Sequence, residues 1–407
     1  MTRLMANRLA PVISEPVAAA AAPARAAAVV RLSLSDFRSY ARLRLDVDAS
    51  PVVLTGPNGA GKTNLLEALS FLAPGRGLRR ARLSEVDRRS PNAPESAGPW
   101  AVAAVVDTAR GRVNIGTGRE PGDEPKKPGA TERRTVRIDG QPSRGQKDLA
   151  EHLAVAWLTP ELDRLFLDGS SARRRFVDRV VYGFHPEHAG EVAAYETVMR
   201  ERSRLLADGC GDAAWLDALE DGMARHGVAI AATRASVVRR LDEAAARSGG
   251  PFPAARLGLA GEVDAALSEM PAVAVEDRAR EALSAARSHD ALHGGAAWGP
   301  HRTELMVRYA ANDCPARDCS TGEQKALLLS ITLATARELA AERGEAPLLL
   351  LDEVVAHLDG ARRAALFDEV SALGAQAWLT GTDDELFQGL RGRARFFRVL
   401  DATVMPR

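Results

Sequence analysis

Pro51-Val52-Val53-Leu54-Thr55-Gly56-Pro57-Asn58-Gly59-Ala60-Gly61-Lys62-Thr63-Asn64 is the stretch whose reading decides the fold. Val52 to Leu54 is a short apolar run, the pattern of a buried strand. It empties into Gly56-x4-Gly61-Lys62-Thr63, and Leu65, Leu66, Leu69 and Leu72 follow at helical spacing. Strand, glycine-rich loop, Lys-Thr and helix in that order make a phosphate-binding loop. The glycines let backbone N–H groups close around anionic oxygens, and the helix aims its positive end at them. The nucleotide-binding residues expected here are Gly56, Pro57, Asn58, Gly59, Ala60, Gly61, Lys62, Thr63 and Asn64. Lys62 should reach the β- and γ-phosphates of ATP, and Thr63 should place its hydroxyl on Mg²⁺.

Working outward, the chain of 407 residues is long enough for two or three domains. Its 54 lysines and arginines match its 54 aspartates and glutamates, so there is no global basic field. Any nucleic-acid contact must come from a local patch or from a groove formed on assembly. Cys210, Cys314 and Cys319 lack the paired spacing of a disulfide framework or a zinc site, which fits a reducing, cytoplasmic location. No apolar run approaches the roughly 18 residues that a membrane-spanning helix needs.

The Ala/Pro-rich leader, 1–28, lacks the apolar core of a secretory signal and is set outside the fold. From Val30 the pattern alternates: Val30, Leu32 and Leu34 make one strand, and Leu43, Leu45 and Val47 make another. Phe37-Arg38-Ser39-Tyr40 is the turn between them. Such a hairpin gives a nucleotide's base and ribose a wall, and Arg38 is either a nucleotide contact or a solvated turn residue. Arg79, Arg80 and Arg82 follow the loop's helix, as a solvated face or a binding patch. Strands are expected at Trp100 to Val106, Arg112 to Thr117, Arg133 to Ile138 and Leu153 to Leu158, with a polar loop from Arg119 to Thr131. This first half of a nucleotide-binding head spans 29–162.

The segment 163–295 reads as helical and forms an inserted arm domain. Helices from Glu187 to about Leu206 and from Ala213 to about Ala246 should pack as a short antiparallel pair, with weaker helical signal after Pro253. Arg173, Arg174 and Arg175 either contact phosphate or form an ion network with Asp163, Asp168 and Asp178. The second half of the head, 296–407, opens on Gly299-Pro300-His301-Arg302 and the alternating Thr303, Leu305, Val307 and Tyr309.

Leu348 to Leu351 followed by Asp352-Glu353 marks a buried strand ending in paired carboxylates. Asp352 is the expected Mg²⁺ partner, with Thr63, and Glu353 the residue that orients or deprotonates the attacking water. With Lys62 they form the catalytic set. Ser320-Thr321-Gly322-Glu323-Gln324 opens a helix and reads two ways. By itself it is an N-cap with a capping-box acid. Beside Asp352-Glu353, Ser320 and Gly322 make a second anion-binding terminus. Two such cradles in one chain imply two heads sandwiching two nucleotides, with Ser320 of one chain on the γ-phosphate held by Lys62 of the other. ATP binding then favours a homodimer, and hydrolysis releases it.

These segments together resemble the ATP-binding cassette heads of the SMC-like class, and most specifically the RecF family. Leu34-Ser35-Asp36-Phe37-Arg38-Ser39-Tyr40, the run Asn58 to Ala68, Gly75-Arg76-Gly77-Leu78-Arg79 and Arg173 to Asp178 carry the resemblance. Gly299 to Arg302, Ser320 to Leu329 and Leu350 to Val354 complete it. It implies an α/β fold: an ABC-ATPase, SMC/RecF-like P-loop head with an inserted helical arm. It also implies a slow, DNA-stimulated ATPase that dimerises with ATP on double-stranded DNA near single-strand gaps. The resemblance further implies help from RecR and RecO in loading a recombinase, and a link to the SOS response. A transporter's cassette subunit or an SMC-like clamp would share the phosphate chemistry, but the arm is large for the first and short for the second. Two departures stand out. The family often has aspartate where this chain has Glu353. The family lacks a firm switch histidine after the last core strand, where this chain has Thr380-Gly381-Thr382, and His357 precedes Asp359 in the subunit-contact loop and is not taken as the switch.

Overall fold

A computed structural model describes residues 27–88, 98–119, 133–143, 145–209, 212–247 and 251–407. The leader up to residue 26, most of the loop after Arg119, and Cys210 lie outside the described residues.

The head is built on a six-stranded sheet whose order is Thr403–Pro406, Arg395–Leu400, Val52–Thr55, Ala377–Gly381, Leu348–Leu351 and Val155–Leu158. All neighbours run parallel except the antiparallel edge pair Arg395–Leu400 and Thr403–Pro406. The unbroken apolar runs follow from this position, because a covered parallel strand buries both faces. Val53, Leu349, Leu351 and Leu379 enter one core. Val52, Leu54, Leu348, Leu350 and Trp378 enter the other. Successive residues therefore stabilise opposite layers, as the two-residue period of a strand requires.

The second core is closed by an antiparallel six-stranded sheet ordered Tyr40–Asp46, Ala28–Phe37, Ala101–Thr108, Gly111–Arg119, Arg134–Ile138 and Gln141–Pro142. Ala28 already pairs with Asp107, so the leader ends earlier than its composition indicates. Phe37, Phe71 and Trp100 meet at ring separations of 4.8–5.9 Å and lock this sheet onto the phosphate-loop helix.

The arm follows. Helices Ser170–Phe184, His188–Ala207 and Ala213–Ala246 pack in sequence. The last two are antiparallel: Glu191 meets His226, Val198 meets Gly222, and Arg202 meets Glu220. Arg202 is fully buried, and Glu220, Asp290 and the Leu283 carbonyl all accept from it. A buried guanidinium needs such compensation.

One stretch read as helical is a strand. Ala255–Ala260 pairs antiparallel with Glu304–Tyr309, and Cys314–Pro315 completes a three-stranded sheet. Leu257 and Leu259 alternate with Arg256 and Gly258, a period of two that the flanking alanine-rich helices obscure. Arm and head are joined at Gly299-Pro300-His301-Arg302. Arg234 grips Asp178 through two nitrogens at 2.7 and 2.8 Å and donates a third bond to the Pro300 carbonyl. Gly299 has φ 141°, and a Cβ there would lie 2.1 Å from the Tyr195 hydroxyl, which bonds His301 Nδ1. This site admits only glycine.

Candidate nucleotide-binding and catalytic site

The site lies beyond the carboxyl ends of the parallel strands, where open α/β sheets bind ligands. Val52–Thr55 delivers the chain to Gly56, whose φ of 149° and close approach to Val399 O exclude a side chain. Gly59 and Gly61 also have positive φ, 82° and 111°. Gly61 precedes the helix Lys62–Ser70 and offers no side-chain cap, so the first N–H groups face the loop's concavity.

Lys62 is 4 % exposed and folds back, its Nζ donating to Gly56 O at 2.7 Å and Pro57 O at 3.0 Å. Burial pushes its pKa down, opposed by the charges of Glu353 and Asp352. An ammonium held by carbonyls alone is a ready counter-charge for phosphate. Thr63 Oγ1 donates to both oxygens of Asp352, at 3.1 and 3.0 Å. Glu353 follows at φ 54°, a left-handed conformation uncommon for a non-glycine residue. Its carboxylate takes no hydrogen bond from any described residue. Lys62, Thr63, Asp352 and Glu353, far apart in sequence, thus share one corner.

This donor set suits Mg²⁺ bound with a nucleotide. Among the described residues no group of three or more His, Cys, Asp and Glu side chains could hold a metal alone. Mg²⁺ in nucleotide sites typically takes one or two protein oxygens and completes its shell from phosphate and water.

Asn64 turns away from the concavity: its amide donates to Ser39 Oγ at 2.9 Å and its oxygen accepts from Arg79 at 2.8 Å. Arg38, read as either a nucleotide contact or a solvated residue, is half-buried and bonded to protein groups. It clamps the fully buried Glu67 of the loop's helix through two nitrogens at 2.8 and 2.7 Å, and Arg79 adds a third bond at 3.0 Å. The Tyr40 hydroxyl donates to Gly61 O at 3.1 Å. The hairpin turn is therefore a brace that fixes the loop from behind. Periodicity cannot expose a buried glutamate on a helix otherwise read as apolar.

Ser320 and Gly322 are not brought to this corner. Ser320 caps the helix Thr321–Arg343, its N–H and hydroxyl both donating to Glu323 Oε2 at 2.8 and 2.7 Å. Those bonds hold the Glu323 carboxyl below its ordinary pKa. Ser320 and Gly322 are exposed, and a Cβ on Gly322 would meet nothing within 4 Å. Within one chain the capping reading describes the turn completely.

The basic runs divide. Arg134 donates to Phe71, Ala73 and Gly75 carbonyls and caps the end of the loop's helix, its pKa pushed down to about 9 by burial. Arg173 pairs with Glu304, and Arg174 bonds Thr303 O. Of the acids expected to serve Arg173 to Arg175, Asp163 pairs with Lys325 and Asp178 with Arg234 and His188, while Asp168 gives its carboxylate to Arg164 and its backbone carbonyl to Arg173. Arg76, Arg80 and Arg175 are exposed, and the pKa of Arg80 is pushed down by burial first and then by the nearby charges of Arg175 and Arg76.

Strand order, phosphate loop and strand-end carboxylates define an ATP-binding cassette head of the SMC-like class. The family described as the RecF/RecN/SMC N terminal domain matches residues 28–402. The chain belongs to the RecF family. It is 48 % identical over 380 residues to the DNA replication and repair protein RecF of Mesorhizobium japonicum, covering 93 % of this chain and 97 % of that one. It is 49 % identical over 389 residues to the protein of that name from Caulobacter vibrioides, covering 92 % and 97 %. A solved structure of the recombination mediator protein RecF-ATPrS superposes with a TM-score of 0.81 at 20 % identity, covering 94 % and 99 %. An Smc head bound to the C-winged helix domain of ScpA has a TM-score of 0.50 at 18 % identity, covering 93 % and 96 %. Among the described residues no helix is long and apolar enough to cross a membrane.

Proposed function

We propose that this chain is an ATP-hydrolysing recombination mediator that dimerises head to tail on double-stranded DNA near single-strand gaps and is released by hydrolysis. The observation that carries the reading is the corner itself: a carbonyl-held Lys62, a Thr63 hydroxyl on Asp352, and an unengaged Glu353. Lys62 and the N–H groups from Gly59 to Asn64 hold the nucleotide's phosphates. Thr63 and Asp352 would hold Mg²⁺, which would neutralise charge on the β- and γ-phosphates. Glu353 orients the attacking water and takes its proton.

Ser320 and Gly322 serve the nucleotide of the second chain. Their exposure supports that role, because a turn already capped at home has one open face for a partner. The arginine face of Arg76, Arg80 and Arg175 is the proposed DNA surface. Contacts of that kind are salt-dependent and indifferent to sequence. The names of the relatives support replication and repair as the setting, and the RecFOR pathway named with the solved neighbour supports RecR and RecO as partners.

Sedimentation with ATP and a gapped duplex, paired with ATP turnover with and without DNA, tests the reading. A dimer that needs ATP, and turnover that rises with DNA, are the expected results. A monomer with ATP, whose turnover ignores DNA, would overturn it.

A further inference from the structure

The parallel sheet places Ala377–Gly381 between the strand of the phosphate loop and the strand of the carboxylate pair. Leu379 stands opposite both Val53 and Leu351, so Thr380 is the next residue at the exit of the middle strand. Thr380 is fully buried. Its hydroxyl donates to Asp352 Oδ1 at 2.7 Å and accepts the Glu353 N–H at 2.8 Å. One oxygen thus touches two consecutive residues, one through the side chain and one through the backbone.

We propose that Thr380 is a positioning residue for ATP hydrolysis, acting through both members of the carboxylate pair. The inference rests on the ATPase reading above. Asp352 is held from two sides, by Thr63 of the loop's helix and by Thr380 of the middle strand, which leaves its carboxylate one orientation. Glu353 has φ 54° and ψ 16°. A left-handed non-glycine residue is strained and persists only where neighbours over-determine it. The bond from its N–H to Thr380 is that determinant, and it sets where the Glu353 side chain leaves the backbone. A hydroxyl stands at the end of this strand and acts through the pair.

Threonine suits the position on two counts. Its branched Cβ favours a strand, and its hydroxyl donates and accepts at once. Valine keeps the shape and loses both bonds.

The test compares Thr380→Val and Thr380→Ser in the full-length protein. Thr380→Val should lower kcat by about 10- to 100-fold, as loss of an outer-shell partner typically does, while KM for ATP moves less than about threefold. Thr380→Ser should rescue kcat to within about threefold of the parent. A second readout needs no nucleotide: in the free protein, hydrogen exchange at the Glu353 amide should quicken at least about tenfold in Thr380→Val and stay slow in Thr380→Ser. Equal kcat in the parent and Thr380→Val would overturn the proposal, as would unchanged Glu353 exchange. If Thr380→Val fails to fold, a folded Thr380→Ser that loses turnover overturns it, and one that keeps turnover and a slow Glu353 amide supports it. If the parent protein hydrolyses no ATP, the ATPase reading fails, and the exchange comparison still decides whether Thr380 positions Glu353.

Discussion

The phosphate loop and the turn at Ser320 are both helix N-termini with glycine and a hydroxyl residue, yet they are built in opposite ways. The loop is packed from behind. A Cβ on Gly61 would lie 2.8 Å from the Tyr40 hydroxyl and 3.1 Å from Ser39 Oγ, and Glu67 is anchored by two arginines. Its N–H groups have no side-chain cap. The Ser320 turn is open on the outside and satisfied within, because the Glu323 carboxylate accepts from the Ser320 N–H and hydroxyl. An uncapped N-terminus with a rigid back is a socket complete in one chain. A self-capped, exposed one holds its shape unaided and can present it to another molecule.

Four substitutions sharpen or break this contrast. Lys62→Arg keeps the charge, but its broader fork does not match the carbonyl pair that receives Nζ. ATP turnover should fall by about 100-fold or more, as when one charge-stabilising donor is removed. Parent-like turnover would remove the loop from the site. Glu67→Ala takes the shared acid from Arg38 and Arg79. Breaking a buried pair in this way typically removes about 3 kcal/mol. Urea denaturation should register that loss, whereas an unshifted midpoint would mean that the back of the loop is not braced by these residues.

Ser320→Arg puts a long cation on the exposed turn. ATP-dependent dimerisation should weaken by more than about tenfold, because a misplaced charge at an interface is costly. ATP binding by the monomer should change by less than about twofold. Equal losses in both would show that the turn serves its own chain's nucleotide. Glu323→Ala should be mildest: it removes the acid half of the capping box but keeps the Ser320 cap, so thermal denaturation should shift only slightly. A much larger drop in thermal denaturation would mean that the turn depends on its cap to fold.

The two turns also differ in how far each could be read in sequence. The loop could be read because its chemistry is local: spacing alone places Gly56, Gly61, Lys62 and Thr63 around one concavity. The arginines could not be sorted that way. Arg38, Arg79 and Arg173 look like solvent or phosphate contacts along the chain, but each is held by a group its neighbours in sequence do not reveal: Glu67 for the first two and Glu304 for the third. The strand Ala255–Ala260 was hidden for a similar reason, since its partner is Glu304–Tyr309, beyond three further helices.

By itself, then, the sequence determined the phosphate loop, the buried strand ending in Asp352-Glu353, the capped turn at Ser320 and the family. Each of these is written in consecutive residues, through period, glycine placement and hydroxyl or acid spacing. Only the tertiary structure decided which charges are neutralised, how the hairpin braces the loop, and that Thr380 joins the carboxylate pair. Those depend on strand order and on side chains meeting across the sheet, and a hydrogen bond between residues distant in the chain leaves no local pattern.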